Sequence, residues 1–267
     1  MMLVAAAQFC ASNKIYKNQD LIEKLTQNAS LKNASLICFP ECTNLIAKDQ
    51  QELEEKAELA DNSETIKKIK SLARRYSIMI SVGSLMLKES AQEKILNRGF
   101  LIGKYGECLA TYDKIHMFDA DVGDGKIYRE SDYFYAGNQL VTAETEIAHI
   151  GLSICYDVRF PEMFRKMSQA GAEIIVTPAA FTEKTGKAHW HVLQRARAIE
   201  TGCFIIAAAQ SGTHADGRQT YGHSLIVNPW GQIIAEAKTL QTELIIAEVN
   251  LKEVDIARNA IGAWKSD

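Results

Sequence analysis

A glutamate, a lysine and a cysteine each stand at the carboxyl end of an apolar run in this chain. Ala34-Ser35-Leu36-Ile37-Cys38-Phe39-Pro40 is closed by Glu41, Cys108 to Tyr112 delivers Asp113-Lys114, and Ile147 to Ile154 leads straight into Cys155. Strand ends are where rigid elements hold side chains against a cleft. Together the three types can do nucleophilic chemistry: a thiolate attacks, a carboxylate moves protons, an ammonium steadies developing negative charge. After Cys155 the polarity changes, and Phe160 to Arg165 reads as a first helical turn, with Pro161 where its missing N–H does no harm. A thiol at such a turn lies beside unsatisfied backbone N–H groups and a positive helix end, so Cys155 is expected to favour its thiolate. Taken singly, each residue also has a structural reading: Glu41 as a loop cap, Lys114 as a solvated charge, Cys155 as a small core residue.

The elements that must position them are legible in the hydrophobic periodicity. Leu3 to Phe9 reads as a buried strand, and Ile22, Leu25 and Ala29 mark an amphipathic helix. A second helix runs from about Ser63 to Tyr76, with Asn62 or Ser63 as its cap and Ile66, Ile69, Leu72, Ala73 and Tyr76 as its apolar stripe. Ile78 to Met86 is expected to be one strand, and Arg98 to Gly103 pairs through Lys104-Tyr105-Gly106-Glu107 with Cys108 to Tyr112. The polar and aromatic segment Met117 to Asn138 is long for an idle loop. Leu140 to Thr142 forms a hairpin with Glu146 to Ile154, and Glu173 to Pro178 and Cys203 to Gln210 are further strands. A loop over Ala179 to Lys187 precedes a helix from about Ala188 to Thr201, whose stripe reads Ala188, Val192, Ala196 and Ile199. Tyr221 to Val227, Gln232 to Ala237 and Thr242 to Val249 are strands, and Leu251 to Ala260 a closing helix. About a dozen strands and four or five helices, alternating early and hairpin-rich later, imply an α/β fold: two mixed sheets face to face with helices outside.

Composition narrows the function. With 4 prolines, 16 scattered glycines and no low-complexity run, residues 1–267 read as a single domain. A formal charge of −3 leaves no electrostatic footprint for nucleic acid or an anionic membrane, and no apolar run is long enough to span a bilayer. The opening Met1 to Cys10 lacks the basic start and cleavage site of a signal peptide. Six dispersed cysteines suit reduced thiols in a cytoplasmic protein. No metal is expected: His189 and His191 are two apart on a helix and do not share a face, and Cys38 and Cys42 lack a second ligand pair. His116, His214 and His223 are open between pocket-lining and structural roles. No phosphate-loop motif appears, so no nucleotide and no other cofactor is expected.

Phe39-Pro40-Glu41, then Tyr112-Asp113-Lys114-Ile115-His116-Met117-Phe118-Asp119, then Gly151-Leu152-Ser153-Ile154-Cys155-Tyr156-Asp157-Val158-Arg159-Phe160-Pro161-Glu162 resemble the three signature blocks of the nitrilase superfamily of carbon–nitrogen hydrolases. The resemblance continues through Ala188-His189-Trp190, Arg195 to Glu200, and Tyr221-Gly222-His223-Ser224 to Asn228-Pro229-Trp230-Gly231. It is strongest to the deaminated glutathione amidase branch, with the ω-amidases as near relatives. It implies a four-layer α-β-β-α sandwich and a Glu41-Lys114-Cys155 triad. Glu130 matches the family's second glutamate, which holds the lysine and the substrate. The substrate contacts of related amidases fall at positions matching Arg159, Phe181 and Thr185, and the backbone N–H of Tyr156 would join Lys114 at the oxyanion. Arg159, four residues beyond the cysteine, could clamp a substrate carboxylate or pair with Asp157 or Glu162.

The expected activity is hydrolysis of a small carboxylate-bearing amide, deaminated glutathione foremost, to acid and ammonia through a cysteine thioester. The alternatives are ω-amidase action on α-ketoglutaramate or succinamate, nitrile or N-carbamoyl hydrolysis, or an inactive binding module of the same fold. A redox-sensing role for Cys155 has no resolving cysteine nearby in sequence to support it. The resemblance implies a homodimer or homotetramer. Two departures from relatives stand out: Ala136-Gly137 where Pro-Gly is common, and a shorter C-terminal end.

Overall fold

The computed structural model describes residues 1–89, 94–123 and 125–265. Its organisation follows from strands that are apolar on both faces. In strand Met2–Gln8, Val4 and Ala6 enter one core while Ala5 and Ala7 enter another, as period-two alternation requires. Strand Ala34–Cys38 repeats the division, with Leu36 and Cys38 on one side and Ile37 on the other. The first core is shared with Ile150, Leu152, Ile174 and Val176 of a second sheet. The other is closed by helices Ile15–Leu31 and Glu64–Tyr76, through Ile22, Leu25, Ile69 and Leu72. Helices Pro161–Gln169 and Glu183–Thr201 pack on the second sheet through Phe164, Met167, Trp190 and Ala198. The layer order is therefore helix, sheet, sheet, helix, as expected.

Both sheets are mixed. Among the described residues the first has nine strands, seven of them along the path Glu243–Val249, Met2–Gln8, Ala34–Cys38, Met79–Ser81, Ile95–Ile102, Leu85–Lys88 and Glu58–Leu59. Cys108–Asp113 and Phe134–Tyr135 also pair with Ile95–Ile102. The second runs Val141–Glu144, His149–Leu152, Ile174–Val176, Phe204–Ala207, Leu225–Val227 and Ile233–Glu236. Its parallel centre is linked by the two outer helices, because parallel neighbours need a crossover, and its antiparallel margins close by hairpins. Among the described residues no helix is long and apolar enough to cross a membrane.

Four local expectations change. The run 78–86 is two strands, Met79–Ser81 and Leu85–Lys88, broken at Gly83. Gly83 has φ +70°, and a Cβ there would lie 2.1 Å from the carbonyl oxygens of Phe39 and Pro40. The break lets Ser84 receive the chain that follows Pro40: its N–H donates to Pro40 O, and its hydroxyl accepts from Cys42 N at 3.0 Å. The strand interruption thus seats Glu41. Tyr221 to Val227 is likewise divided, into Gln219–Tyr221 and Leu225–Val227.

The segment 117–138 is organised around strands Asp119–Asp121 and Ile127–Arg129, a helical turn Glu130–Tyr133 and strand Phe134–Tyr135. The fourth change concerns the helix expected from Ala188, which begins at Glu183 and buries a different face. Ala188, Val192 and Ile199 are exposed, while Trp190, Gln194, Arg197, Ala198 and Thr201 are buried. Hydropathy misreads this helix because polar groups are buried in it through hydrogen bonds, although Gln194 Nε2 has no partner among the described residues. Gln194 accepts from Thr177 at 2.7 Å, and Arg197 donates to Val158 O at 2.8 Å.

Two predictions follow from the scaffold. Gly83→Ala forces a left-handed backbone and a carbonyl clash together, and is expected to cost about 3 kcal/mol or more. That would lower Tm by roughly 6 °C or more in thermal unfolding; an unchanged Tm would refute the seating role. The second concerns His214, which is buried and bonded to Ala11 O and the Thr220 hydroxyl. Burial lowers its pKa from 6.5 to about 4. The unfolded chain then binds the extra proton between those values, so stability present above pH 6.5 falls as the pH drops towards 4, by about 3 kcal/mol. Denaturant titrations at pH 7 and pH 4.5 should show this loss shrink in His214→Asn.

Candidate active site

Three strand ends converge on one cavity of about 330 Å³ whose wall includes Glu41, Lys114 and Cys155. Glu41 is 4 % exposed and Lys114 2 %. The Lys114 ammonium donates to Glu41 Oε1 at 2.9 Å and to both oxygens of Glu130 at 2.8 Å. Its backbone is held on both sides, with N–H to Asn97 O at 3.1 Å and C=O from Gly137 N at 2.8 Å. A Cβ on Gly137 would meet Asp113 O at 2.2 Å, so glycine at this place of the Ala136-Gly137 pair is a packing requirement. Glu130 also accepts from Phe118 N, which ties the 117–130 segment to the buried lysine.

Glu41 is saturated with donors. Besides Lys114, Asn97 Nδ2 donates to Oε1 at 2.9 Å and the Ala180 N–H donates to Oε2 at 2.8 Å, while Gln210 holds the Glu41 carbonyl at 2.9 Å. The Cys155 thiol lies beside the same carboxylate, near enough for each to shift the other's titration. Cys155 itself has φ +51°, a left-handed conformation that costs a non-glycine residue about 1 kcal/mol or more. Its N–H to Pro178 O, at 2.8 Å, and the five-residue 3₁₀ turn Cys155–Arg159 hold it there. That turn precedes helix Pro161–Gln169, so Arg159 lies within a 3₁₀ turn and not one α-helical turn along.

The electrostatics correct one expectation. Burial pushes the Cys155 thiol well above its ordinary range and the Glu41 charge adds to this, with the Lys114 ammonium only partly opposing. Cys155 therefore rests as a thiol and not a thiolate. Burial also pushes the Glu41 carboxyl up, but the Lys114 charge and hydrogen bond, the neighbouring Cys155 thiol and the Asn97 bond outweigh it and hold the carboxyl below the usual range. Lys114 stays protonated, since Glu130 and Glu41 overcome its desolvation. Two carboxylates and one ammonium already make the cluster net negative, so a thiolate would be a second unbalanced buried charge.

A second hydrogen-bonded group registers the cysteine turn against the lysine strand. Fully buried Asp157 accepts from the Tyr112 hydroxyl at 2.7 Å, Ile154 N at 2.8 Å, His116 N at 3.1 Å and His116 Nδ1 at 2.7 Å. His116 stacks on Phe160, with ring centroids 3.5 Å apart. His116 and His214 have structural partners. His223 shares Glu236 Oε1 with His191, each at 2.9 Å, in the trio of converging metal-type ligands found among the described residues. His189 faces elsewhere and contacts Arg159.

The residues expected to bind substrate line a smaller cavity, about 20 Å³, that shares Cys155 with the larger one. Tyr156, Arg159, Phe181 and Thr185 all contribute, Thr185 from the first turn of a helix where a loop was expected. The Arg159 guanidinium lies 5.2 Å from the Phe181 ring centre and 3.3 Å from His189 Nδ1. Neither Asp157 nor Glu162 pairs with it among the described contacts.

Sequence reasoning missed Asn97, the Ala180 N–H, Asp157 as a bridge, and Arg218. Asn97 carried a signal, a polar residue inside the apolar strand Ile95–Ile102. Ala180 acts through its backbone and carried none.

The fold and this cluster define a carbon–nitrogen hydrolase. The carbon–nitrogen hydrolase family model matches residues 3–259, and the chain belongs to that family, within the nitrilase superfamily. It is 39% identical over 258 residues to the deaminated glutathione amidase of Synechocystis, with 94% of each chain covered. To the probable hydrolase nit2 of Schizosaccharomyces pombe it is 38% identical over 265 residues, covering 98% of this chain and 96% of that one. Among solved structures, the Caenorhabditis elegans NitFhit protein superposes with TM-score 0.93 at 35% identity, over 100% of this chain and 65% of that longer one. Saccharomyces cerevisiae Nit3 gives TM-score 0.88 at 26% identity, over 97% and 94%.

Because the Glu41 charge raises the thiol, Glu41→Gln is expected to move the pH profile of Cys155 alkylation by iodoacetamide to lower pH. A profile that stays put or moves upward would refute this account of the resting thiol.

Proposed function

We propose that the chain is an amidase in which Cys155 is the nucleophile, Glu41 the proton carrier, Lys114 the oxyanion partner and Glu130 the group that holds Lys114. The observation that carries this reading is the placement of the Cys155 thiol and the Lys114 ammonium beside one carboxylate, Glu41, at the floor of an open cavity. An amide carbonyl is a poor electrophile, and a covalent intermediate splits its hydrolysis into two easier steps. As sulfur attacks the carbonyl carbon, the thiol proton passes to Glu41. This avoids a free buried thiolate. The oxyanion is met by Lys114 and the Tyr156 N–H, a contribution of about 3 kcal/mol per donor. Glu41 then gives its proton to the departing nitrogen, the C–N bond breaks and a thioester remains. Glu41 next takes a proton from water, the hydroxide oxygen bonds to the carbonyl carbon, and sulfur leaves with that proton.

Deaminated glutathione is the substrate best supported by the names of the relatives. Its scissile nitrogen belongs to a cysteine residue, so the product is an amine-bearing dipeptide and not the ammonia expected from sequence. Ammonia leaves only from a primary amide such as α-ketoglutaramate, the second reading. Arg159 beside Phe181 and Thr185 supports a carboxylate on the acyl half, where it would replace His189 as the guanidinium's partner.

Six unbridged cysteines support a cytoplasmic setting. Surface-exposed Val192, Ile199 and Trp230 support assembly into a homodimer or homotetramer.

Hydrolysis should be measured across deaminated glutathione, α-ketoglutaramate, N-carbamoyl amino acids and simple nitriles. Turnover of the first is expected, with Cys155→Ala inactive but folded and Glu41→Gln slower by about 10²-fold or more. Activity confined to nitriles or carbamoyl compounds would refute the substrate, and full activity of Cys155→Ala would refute the mechanism.

A further inference from the structure

The two cavities meeting at Cys155 are unequal, and the cluster faces only one of them. Glu41, Lys114 and Glu130 border the larger space of about 330 Å³, while the smaller, about 20 Å³, is bordered by Tyr156, Arg159 and Phe181. A departing nitrogen must take its proton from Glu41. The amine half of a substrate therefore lies in the larger space and the carboxylate of the acyl half points to Arg159, where the small cavity must widen to receive more than one or two water-sized groups. Ammonia, the size of a water, needs only about 10–15 Å³ of such space. The large cavity is built for a much bigger leaving group.

One cation in that wall lacks a fitting partner. Arg218 borders both cavities. Its Nε is buried without a hydrogen bond, and its acidic neighbour, Asp216 Oδ2, lies off at 3.4 Å. The loop that carries it is rigid: His214 N donates to Arg218 O at 2.9 Å, Arg218 N donates to Asp216 Oδ1 at 2.8 Å, and His214 is anchored to Ala11 O. Lys126 donates to Asp216 O from the opposite segment. With Nε turned inward, the two Nη groups of this held guanidinium are left to meet a carboxylate in the bidentate manner from the cavity that Arg218 borders. The competing role is electrostatic, with Arg218 only balancing Glu41, Glu130 and Asp216 around the cavity.

We propose that Arg218 is a second anion subsite, which receives a carboxylate on the leaving amine, so that the preferred substrates are N-substituted amides whose amine half ends in a carboxylate, as a dipeptide does. This rests on the amidase reading and on the placement of Glu41. Arg159 and Arg218 then measure the substrate from its two ends, with the scissile bond at Cys155 between them.

The test compares glutaryl-alanylglycine, which carries that carboxylate, with glutaryl-alanylglycinamide, which does not, and with the primary amide glutaramate. The wild type is expected to prefer the free carboxylate by about tenfold or more in kcat/KM. In Arg218→Gln this ratio should collapse towards one, chiefly through KM, and Arg218→Lys should restore part of it; thermal melts confirm that both variants fold. A ratio near one in the wild type, or the same ratio in Arg218→Gln, overturns the subsite and leaves Arg218 a balancing charge. Cleavage of glutaramate alone overturns the subsite while sparing the amidase reading, and cleavage of none of the three by any variant removes both.

Discussion

A buried ammonium held between two carboxylates is the constraint on which the rest of this structure depends. Removing Lys114, Glu41 and Glu130 from water is costly, and the cost is offset only where every charge keeps several close partners. Here the partners come from four directions: Asn97 in a central strand, Ala180 after a strand of the other sheet, Phe118 from the long surface segment, and Gln210 behind the glutamate. The two sheets must therefore be in register before the cluster can be satisfied. The cluster is at once a product of the packing and a check on it.

That arrangement also decides the state of the sulfur. A helix end and free N–H groups would favour a thiolate in isolation, but burial of the sulfur and the Glu41 charge oppose it. A proton on sulfur and a carboxylate beside it keep the negative charge on the oxygens that Lys114 already neutralises in part. Because the resting thiol is also a weak target for oxidation, the site is guarded from the chemistry that threatens reactive cysteines.

The backbone bears part of the burden. Gly83 interrupts a strand so that two carbonyls can approach, Gly137 lets the segment after the lysine close over Asp113, and Cys155 adopts a left-handed conformation at the turn. Asp157 then locks the cysteine turn to the lysine strand through Tyr112 and His116. Each device shapes the backbone or hydrogen bonds next to Glu41, Lys114 or Cys155.

By itself the sequence determined the elements and their chemical endings. Alternation that is apolar on both faces could only be satisfied by strands buried between layers; Glu41 and Cys155 fell just past such strands, and Lys114 just past the more exposed strand Cys108–Asp113. Strand Met2–Gln8 and the buried faces of helices Ile15–Leu31 and Glu64–Tyr76 were legible for the same reason, since burial there follows hydrophobicity. Helix Glu183–Thr201 was misread because Gln194 and Arg197 are buried through hydrogen bonds, which hydropathy does not register. The Ala180 N–H, the bridging Asp157, the state of the thiol and the unequal cavities were decided only by tertiary structure. Each depends on distances between segments far apart in the chain, and electrostatics and free volume are properties of those distances, not of residue type.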